Sequence, residues 1–215
     1  MLEIIIGHDG RDSSLEIKNL LISSMNNNGV NVIDISLVPT PLCYYATNKL
    51  NIPNSIMITG SHNPQEYNGF KFIINNEPFY GEQIKNLNNI KIKDYPEKIG
   101  VLKHVNIVST YLSEIPNKLN IKKDLKIAWD IGNGVVGSMF HSILKKIPGN
   151  HIVINSSVDG NFPNHHPDPT VLKNNSQISK LVQEQNCDLG ISFDGDGDRL
   201  GIIDNKGQFV YSDIV

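Results

Sequence analysis

Two rhythms of apolar positions run along the chain. Short apolar runs predict strands over residues 3–6, 32–35, 55–59, 70–74, 126–130, 151–154, 188–193 and 200–203. Between them the spacing turns helical. Ile17, Leu20, Leu21 and Met25 fall on one face of a helix that a Ser13/Glu16 capping box would start and Gly29 would stop. Val105, Val108, Leu112 and Ile115 recur in the same way before Pro116, as do Val136, Met139, Phe140, Ile143 and Leu144. A further helix is predicted near 177–185, and residues 211–215 read as the start of one more with Ser212 as its N-cap. Turn-rich pieces separate the strands at 32–35, 55–59 and 70–74. This alternation predicts an α/β fold with largely parallel or mixed sheets. The polar run 117–124 divides the chain into a first domain over 1–120 and a second over 121–215.

One loop interrupts the apolar pattern sharply. Between the strands at 188–193 and 200–203 the sequence reads Asp194-Gly-Asp-Gly-Asp-Arg199. Two carboxylates 4 Å apart repel by about 4 kcal/mol at an effective dielectric near 20, so the loop either splays into water as a solvated acidic turn or gathers around a cation. Gly195 and Gly197 permit the positive φ that turns successive aspartates toward one centre. An all-oxygen set suits a hard ion, Mg²⁺ or Ca²⁺. An EF-hand is excluded, because Arg199 stands where its sixth position needs glycine and Asn205 where its twelfth needs glutamate. Three carboxylates on one loop leave coordination positions open, which favours Mg²⁺ completed by phosphate and water.

Composition narrows the partners. With 19 Lys+Arg against 22 Asp+Glu, the net charge of −3 gives no bulk attraction to nucleic acid or an anionic membrane. An anionic substrate would therefore depend on local cations. The 2 cysteines, Cys43 and Cys187, form no C-x-x-C pair, and the apolar start is too short for a signal peptide or membrane span. A cytoplasmic protein is expected.

Three further motifs have competing readings. Gly132-Asn-Gly-Val-Val-Gly137 has the G-x-G-x-x-G form between a strand and a helix, as a dinucleotide site requires, yet the next strand ends in Asn155-Ser-Ser157 without the expected acid. A tight structural turn explains the glycines equally well. His165 and His166 lack companions at zinc-ligand spacing. Thr59-Gly-Ser-His-Asn-Pro64 follows an apolar strand. Asn63 as N-cap and Pro64 at the first helical position would put Ser61 by a helix N-terminus, a favourable place for a phosphate. A serine hydrolase is disfavoured, because no G-x-S-x-G elbow is present.

Taken in order, GHDGR (7–11), VPTPL (38–42), TGSHNP (59–64), YNGFK (67–71), GNGVVG (132–137), DGNFPNHHPDP (159–169) and FDGDGDR (193–199) closely resemble the α-D-phosphohexomutases of the bacterial phosphomannomutase/phosphoglucomutase branch. The resemblance implies two three-layer αβα domains and reversible phosphate transfer between O1 and O6 of a hexose phosphate through a hexose 1,6-bisphosphate. By that match Ser61 is the phosphate carrier, and Asp194, Asp196 and Asp198 hold Mg²⁺ with a phosphoserine oxygen. Lys71 matches a general base, Arg11 and His62 surround the phosphoserine, and Arg199 contacts phosphate. His8 stands where the family usually has an aromatic residue. Family members have four domains, of which this chain matches the first and nearly all of the second. Little turnover is therefore expected without a complementary C-terminal half, and a non-catalytic unit that keeps the fold is the alternative.

Overall fold

A computed structural model describes residues 2–90, 98–115 and 123–211. The first sheet contains β1 (Glu3–His8), β2 (Asn31–Leu37), β3 (Ser55–Ile58), β4 (Phe70–Ile74), β5 (Glu77–Phe79) and β6 (Leu102–His104), in the order β5-β4-β3-β1-β2-β6. Pairings among β3, β1, β2 and β6 are parallel, and β4 and β5 add antiparallel strands at one edge. The second sheet, β11-β10-β9-β7-β8, is built from β7 (Lys126–Asp130), β8 (Asn150–Ile154), β9 (Leu189–Phe193), β10 (Leu200–Asp204) and β11 (Phe209–Val210). It too is mixed, with β8-β7-β9 parallel and β9-β10-β11 antiparallel.

The period-2 geometry of a central strand sends successive side chains to opposite faces, and each face carries helices. On β1, Ile4 and Ile6 enter a core with Ile17, Leu21 and Ile22 of α1 (Asp12–Asn27), whereas Ile5 packs toward α2 (Thr40–Leu50) and α4 (Ile107–Glu114). The short α3 (Glu82–Lys85) lies outside these cores. On β7, Ile127 and Trp129 meet α5 (Gly137–Leu144), and Ala128 meets α6 (Ser176–Glu184). The result is two αβα sandwiches. Met139 of α5 also joins the core formed by Ile5, Leu42 and Ile107, so apolar packing crosses the seam between them. No described helix is long and apolar enough to cross a membrane.

Several expectations need correction. The Ser13/Glu16 box does not form: α1 begins at Asp12 without a side-chain cap, and Ser13 is already helical. Instead, Asp9 Oδ1 accepts the Arg11 N–H at 3.1 Å and the Ser14 hydroxyl at 2.6 Å, tying the helix start to the loop before it. Leu20 is 65% exposed, and the buried positions are Ser14, Lys18 and Ile22. Lys18 is buried because it pairs with Asp34 at 2.9 Å, a partner the apolar pattern does not reveal. The VPTPL segment, read as turn, opens α2: Pro41 sits in the first turn, where its missing N–H costs nothing, and Asn51 ends the helix in the left-handed region at φ 54°. Val105 precedes α4 rather than belonging to it. Most of the run 117–124 and the residues after Tyr211 lie outside the described residues.

Candidate active site

The acidic loop is a hairpin between β9 and β10, closed by the Asp194 N–H donating to Arg199 O at 3.2 Å. Asp194 organises it from within, its Oδ1 accepting the N–H groups of Asp198 and Arg199 at 3.0 and 3.1 Å. Gly197 takes the expected positive φ, 72°. Gly195 does not. Its requirement is space, since a Cβ there would stand 2.6 Å from the Ser61 carbonyl oxygen.

The Ser61 loop differs from expectation. Residues 61–69 form turns, and no helix begins at Pro64, so no helix N-terminus faces the serine. The positive charge comes from Arg11 instead. Its Nη1 donates to the carbonyls of Pro64 and Tyr67 at 2.7 and 3.0 Å, and Nη2 to those of Ser61 and Asn63 at 2.9 and 2.7 Å. Nε lies 3.3 Å from Asp9 Oδ2 without hydrogen-bond alignment. This buried guanidinium folds the loop around itself and has no terminal nitrogen left for a ligand. The Ser61 N–H donates to Thr59 Oγ1 at 2.8 Å, and Ser61 itself is held at φ 50°, a left-handed conformation unusual for serine and costly unless its surroundings impose it.

The two loops meet across the seam. Ser61 Oγ donates to Asp194 Oδ2 at 3.2 Å, and His62 Nδ1 lies 3.4 Å from the same hydroxyl. Lys71, on β4, donates to Asp196 Oδ2 and Asp198 Oδ2, each at 2.6 Å. Thr40 adds its hydroxyl to Asp196 Oδ2. Asp194 and Asp196 are fully buried, and ligand oxygens of the three aspartates lie within 4.8 Å of one another. Asp196 Oδ1 is buried with no hydrogen-bond partner. A buried orphan oxygen inside a three-carboxylate cluster fits a hard divalent cation.

These surroundings drive the carboxylates apart. Burial, reinforced by the Asp196 charge, raises Asp194 well above the ordinary carboxylate range. Burial pushes Asp196 the same way, but the Lys71 charge and the Lys71 and Thr40 hydrogen bonds overrule it and leave it lowered. For Lys71, burial lowers the affinity for its proton, yet Asp196 and Asp198 raise it more. Lys71 is thus ion-paired to both carboxylates at once. Arg199 contrasts with Arg11: its side chain is 42% exposed, with Nε 3.9 Å from Asp198 Oδ1, leaving donors free at the cleft.

The DGNFPNHHPDP loop clasps the first domain. Phe162 stacks under Arg11, with the guanidinium carbon 5.2 Å from the ring centroid, and a Cβ on Gly160 would meet Arg11 Cα at 2.8 Å. Asp168 is lowered despite its burial, by Thr170 hydrogen bonds and by the charges of His62 and Arg199. His165 is no zinc ligand here; its Nε2 sits 2.8 Å from buried Asp130. The dinucleotide reading of 132–137 also fails on geometry. Val135 N–H donates to Gly195 O at 3.0 Å, and a Cβ on Gly134 would meet Gly195 O at 2.9 Å, so the acidic loop fills the space a pyrophosphate would need. Sequence reasoning missed Thr40, Asp9 and Asp168. Each lay inside a quoted motif, but only the fold shows what they face.

Residues 2–96 match phosphoglucomutase/phosphomannomutase alpha/beta/alpha domain I, and residues 109–207 match domain II. The chain belongs to the phosphoglucomutase/phosphomannomutase family. A phosphomannomutase/phosphoglucomutase of Pseudomonas syringae pv. tomato is 41% identical over 211 residues, covering 98% of this chain and 45% of the relative. A phosphoglucomutase of Neisseria meningitidis serogroup B is 36% identical over 213 residues, covering 98% and 46%. A crystal structure of a phosphoglucomutase/phosphomannomutase family protein from Burkholderia thailandensis superposes with a TM-score of 0.90 at 32% identity, covering 99% of this chain and 48% of that one. The chain thus spans about half the length of the family members it matches.

Proposed function

We propose that the chain is the N-terminal half of a phosphohexomutase that moves phosphate between O1 and O6 of a hexose phosphate through a phosphoserine at Ser61. The observation that supports this best is the Ser61 hydroxyl, from one domain, 3.2 Å from an acidic loop of the other. Asp194, Asp196, Asp198 and an oxygen of the phosphoserine would hold Mg²⁺. When bound, the ion supplies positive charge against the transferring phosphoryl group. The chain's own residues do the rest. Arg11 fixes the loop that presents Ser61, His62 and the exposed Arg199 face the phosphoryl oxygens, and the Lys71 ammonium offsets negative charge beside them. The Ser61 Oγ–P bond forms as the P–O bond to the sugar breaks, and the sugar oxygen takes up the proton that the serine gives up. Hexose 1-phosphates, hexose 6-phosphates and hexose 1,6-bisphosphates are the substrates, and contacts to the sugar come from a complementary C-terminal half.

The test is to incubate the chain with glucose 1,6-bisphosphate and Mg²⁺ and to read intact mass and phosphopeptides. One phosphoryl group should appear on Ser61, be absent from Ser61→Ala, and be accompanied by little steady-state mutase turnover. Divalent-ion binding without any phosphorylation would instead support a non-catalytic unit that keeps the fold.

A further inference from the structure

We propose that Thr40, the first residue of α2, is a positioning residue for the cation site, holding Asp196 so that one of its carboxylate oxygens is reserved for the divalent ion. This rests on the metal reading above. Asp196 is gripped by Thr40 at two points: the Thr40 N–H donates to the Asp196 carbonyl at 2.9 Å, and the Thr40 hydroxyl donates to Asp196 Oδ2. Both residues are completely buried, and 156 positions of sequence separate them.

The division of labour at the carboxylate is the central point. Oδ2 receives Thr40 and Lys71, while Oδ1 is buried and receives nothing from the protein. A carboxylate free to rotate about its Cβ–Cγ bond would exchange these oxygens. With one oxygen fixed by a neutral donor whose own backbone is anchored to the same residue, the ring of choices collapses to one orientation. Lys71 alone does not achieve this, because its flexible ammonium is shared between Asp196 and Asp198 and lies on a partly exposed stem. Pro39 and Pro41 flank Thr40 and restrict the backbone on both sides, and a Cβ on Gly197 would sit 3.3 Å from Pro39 Cβ, so the helix start and the acidic loop are already in contact. Hydroxyl partners of metal-binding carboxylates of this kind typically change metal affinity by about 10- to 100-fold when removed.

The experiment measures Mn²⁺ binding to the full 215-residue chain by the loss of the free-ion electron paramagnetic resonance signal. Thr40→Val, which keeps the branched shape and removes the hydroxyl, should bind about 10-fold or more weakly, and Thr40→Ser should stay within about threefold of the parent. Thr40→Ala carries the same expectation should the valine variant fail to fold. Urea denaturation in the absence of metal is run in parallel. A merely structural Thr40 would lower the urea midpoint in Thr40→Val or Thr40→Ala while Mn²⁺ affinity held, and that result overturns the proposal. Absence of Mn²⁺ binding by the parent chain would overturn the metal reading itself and the role of Thr40 with it. Parent-like binding by the hydroxyl-free variants overturns only the latter.

Discussion

Ser61 Oγ and Asp194 Oδ2 lie 3.2 Å apart although 133 residues separate them in sequence. The contact depends on Gly195 having no side chain: the Ser61 carbonyl oxygen would stand only 2.6 Å from a Cβ there. Gly195→Ala should therefore force the two loops apart, destabilising the chain by about 1–3 kcal/mol as overpacking does. Mn²⁺ affinity and urea stability should both fall. Gly69→Ala is the control for crowding, since its φ is not positive and the nearest atom to a Cβ there, the Thr59 carbonyl oxygen, stands at 3.4 Å.

Arg11 spends its terminal nitrogens on four backbone carbonyls. Lysine keeps the charge but lacks the planar fork, so Arg11→Lys should lose about 3 kcal/mol of stability, several charge-assisted hydrogen bonds being lost at once. Proteolysis should then begin within residues 60–69. An undiminished urea midpoint would mean that the loop holds itself.

The fold was legible where chemistry and periodicity coincide. β1 and β7 were readable because their uninterrupted apolar runs, Ile4-Ile5-Ile6 and Ile127-Ala128-Trp129, are packed on both faces. α2 was not readable, because its prolines resemble loop residues until the first turn of a helix is known to accept them. The phase of α1 was missed at Leu20 because Ser14 and Lys18 are buried through polar partners, Asp9 and Asp34, that an apolar pattern does not register. The acidic loop announced itself through charge density. Thr40 did not, since a lone threonine carries no signal until the fold sets it against Asp196. The two glycines of the acidic loop looked alike in sequence, yet one is needed for its backbone angle and the other for its neighbour.

Without a cation, Asp194 is a buried carboxylate beside another carboxylate, and its ionisation works against folding. Asp194→Asn keeps an oxygen for the N–H groups of Asp198 and Arg199 and removes the charge. Near neutral pH and without metal it should be more stable by about 1 kcal/mol, raising Tm by about 2–4 °C for a chain of this size. Divalent binding should be lost. A lower Tm in the metal-free variant would contradict the charge argument.

His165 is paired with buried Asp130 at 2.8 Å. Burial lowers its proton affinity, but the Asp130 hydrogen bond and charge outweigh that and leave it raised above 6.5. A raised histidine stabilises fully below its unfolded value and ceases to do so as pH climbs through the folded one. Stability of the parent should therefore decline as pH rises from about 6.5 through the raised folded value, and His165→Gln should flatten that decline. Parallel pH profiles for the two proteins would refute this assignment.

The claim on which the functional account depends is that a phosphoryl group on Ser61 and a cation held by Asp194, Asp196 and Asp198 occupy one shared site. The most direct measurement is the ³¹P NMR signal of the chain phosphorylated on Ser61, titrated with substoichiometric Mn²⁺. The account predicts that the resonance broadens beyond detection, and that Asp196→Asn protects it at the same Mn²⁺ concentration. A sharp phosphoserine signal in the parent chain with Mn²⁺ demonstrably bound would contradict it.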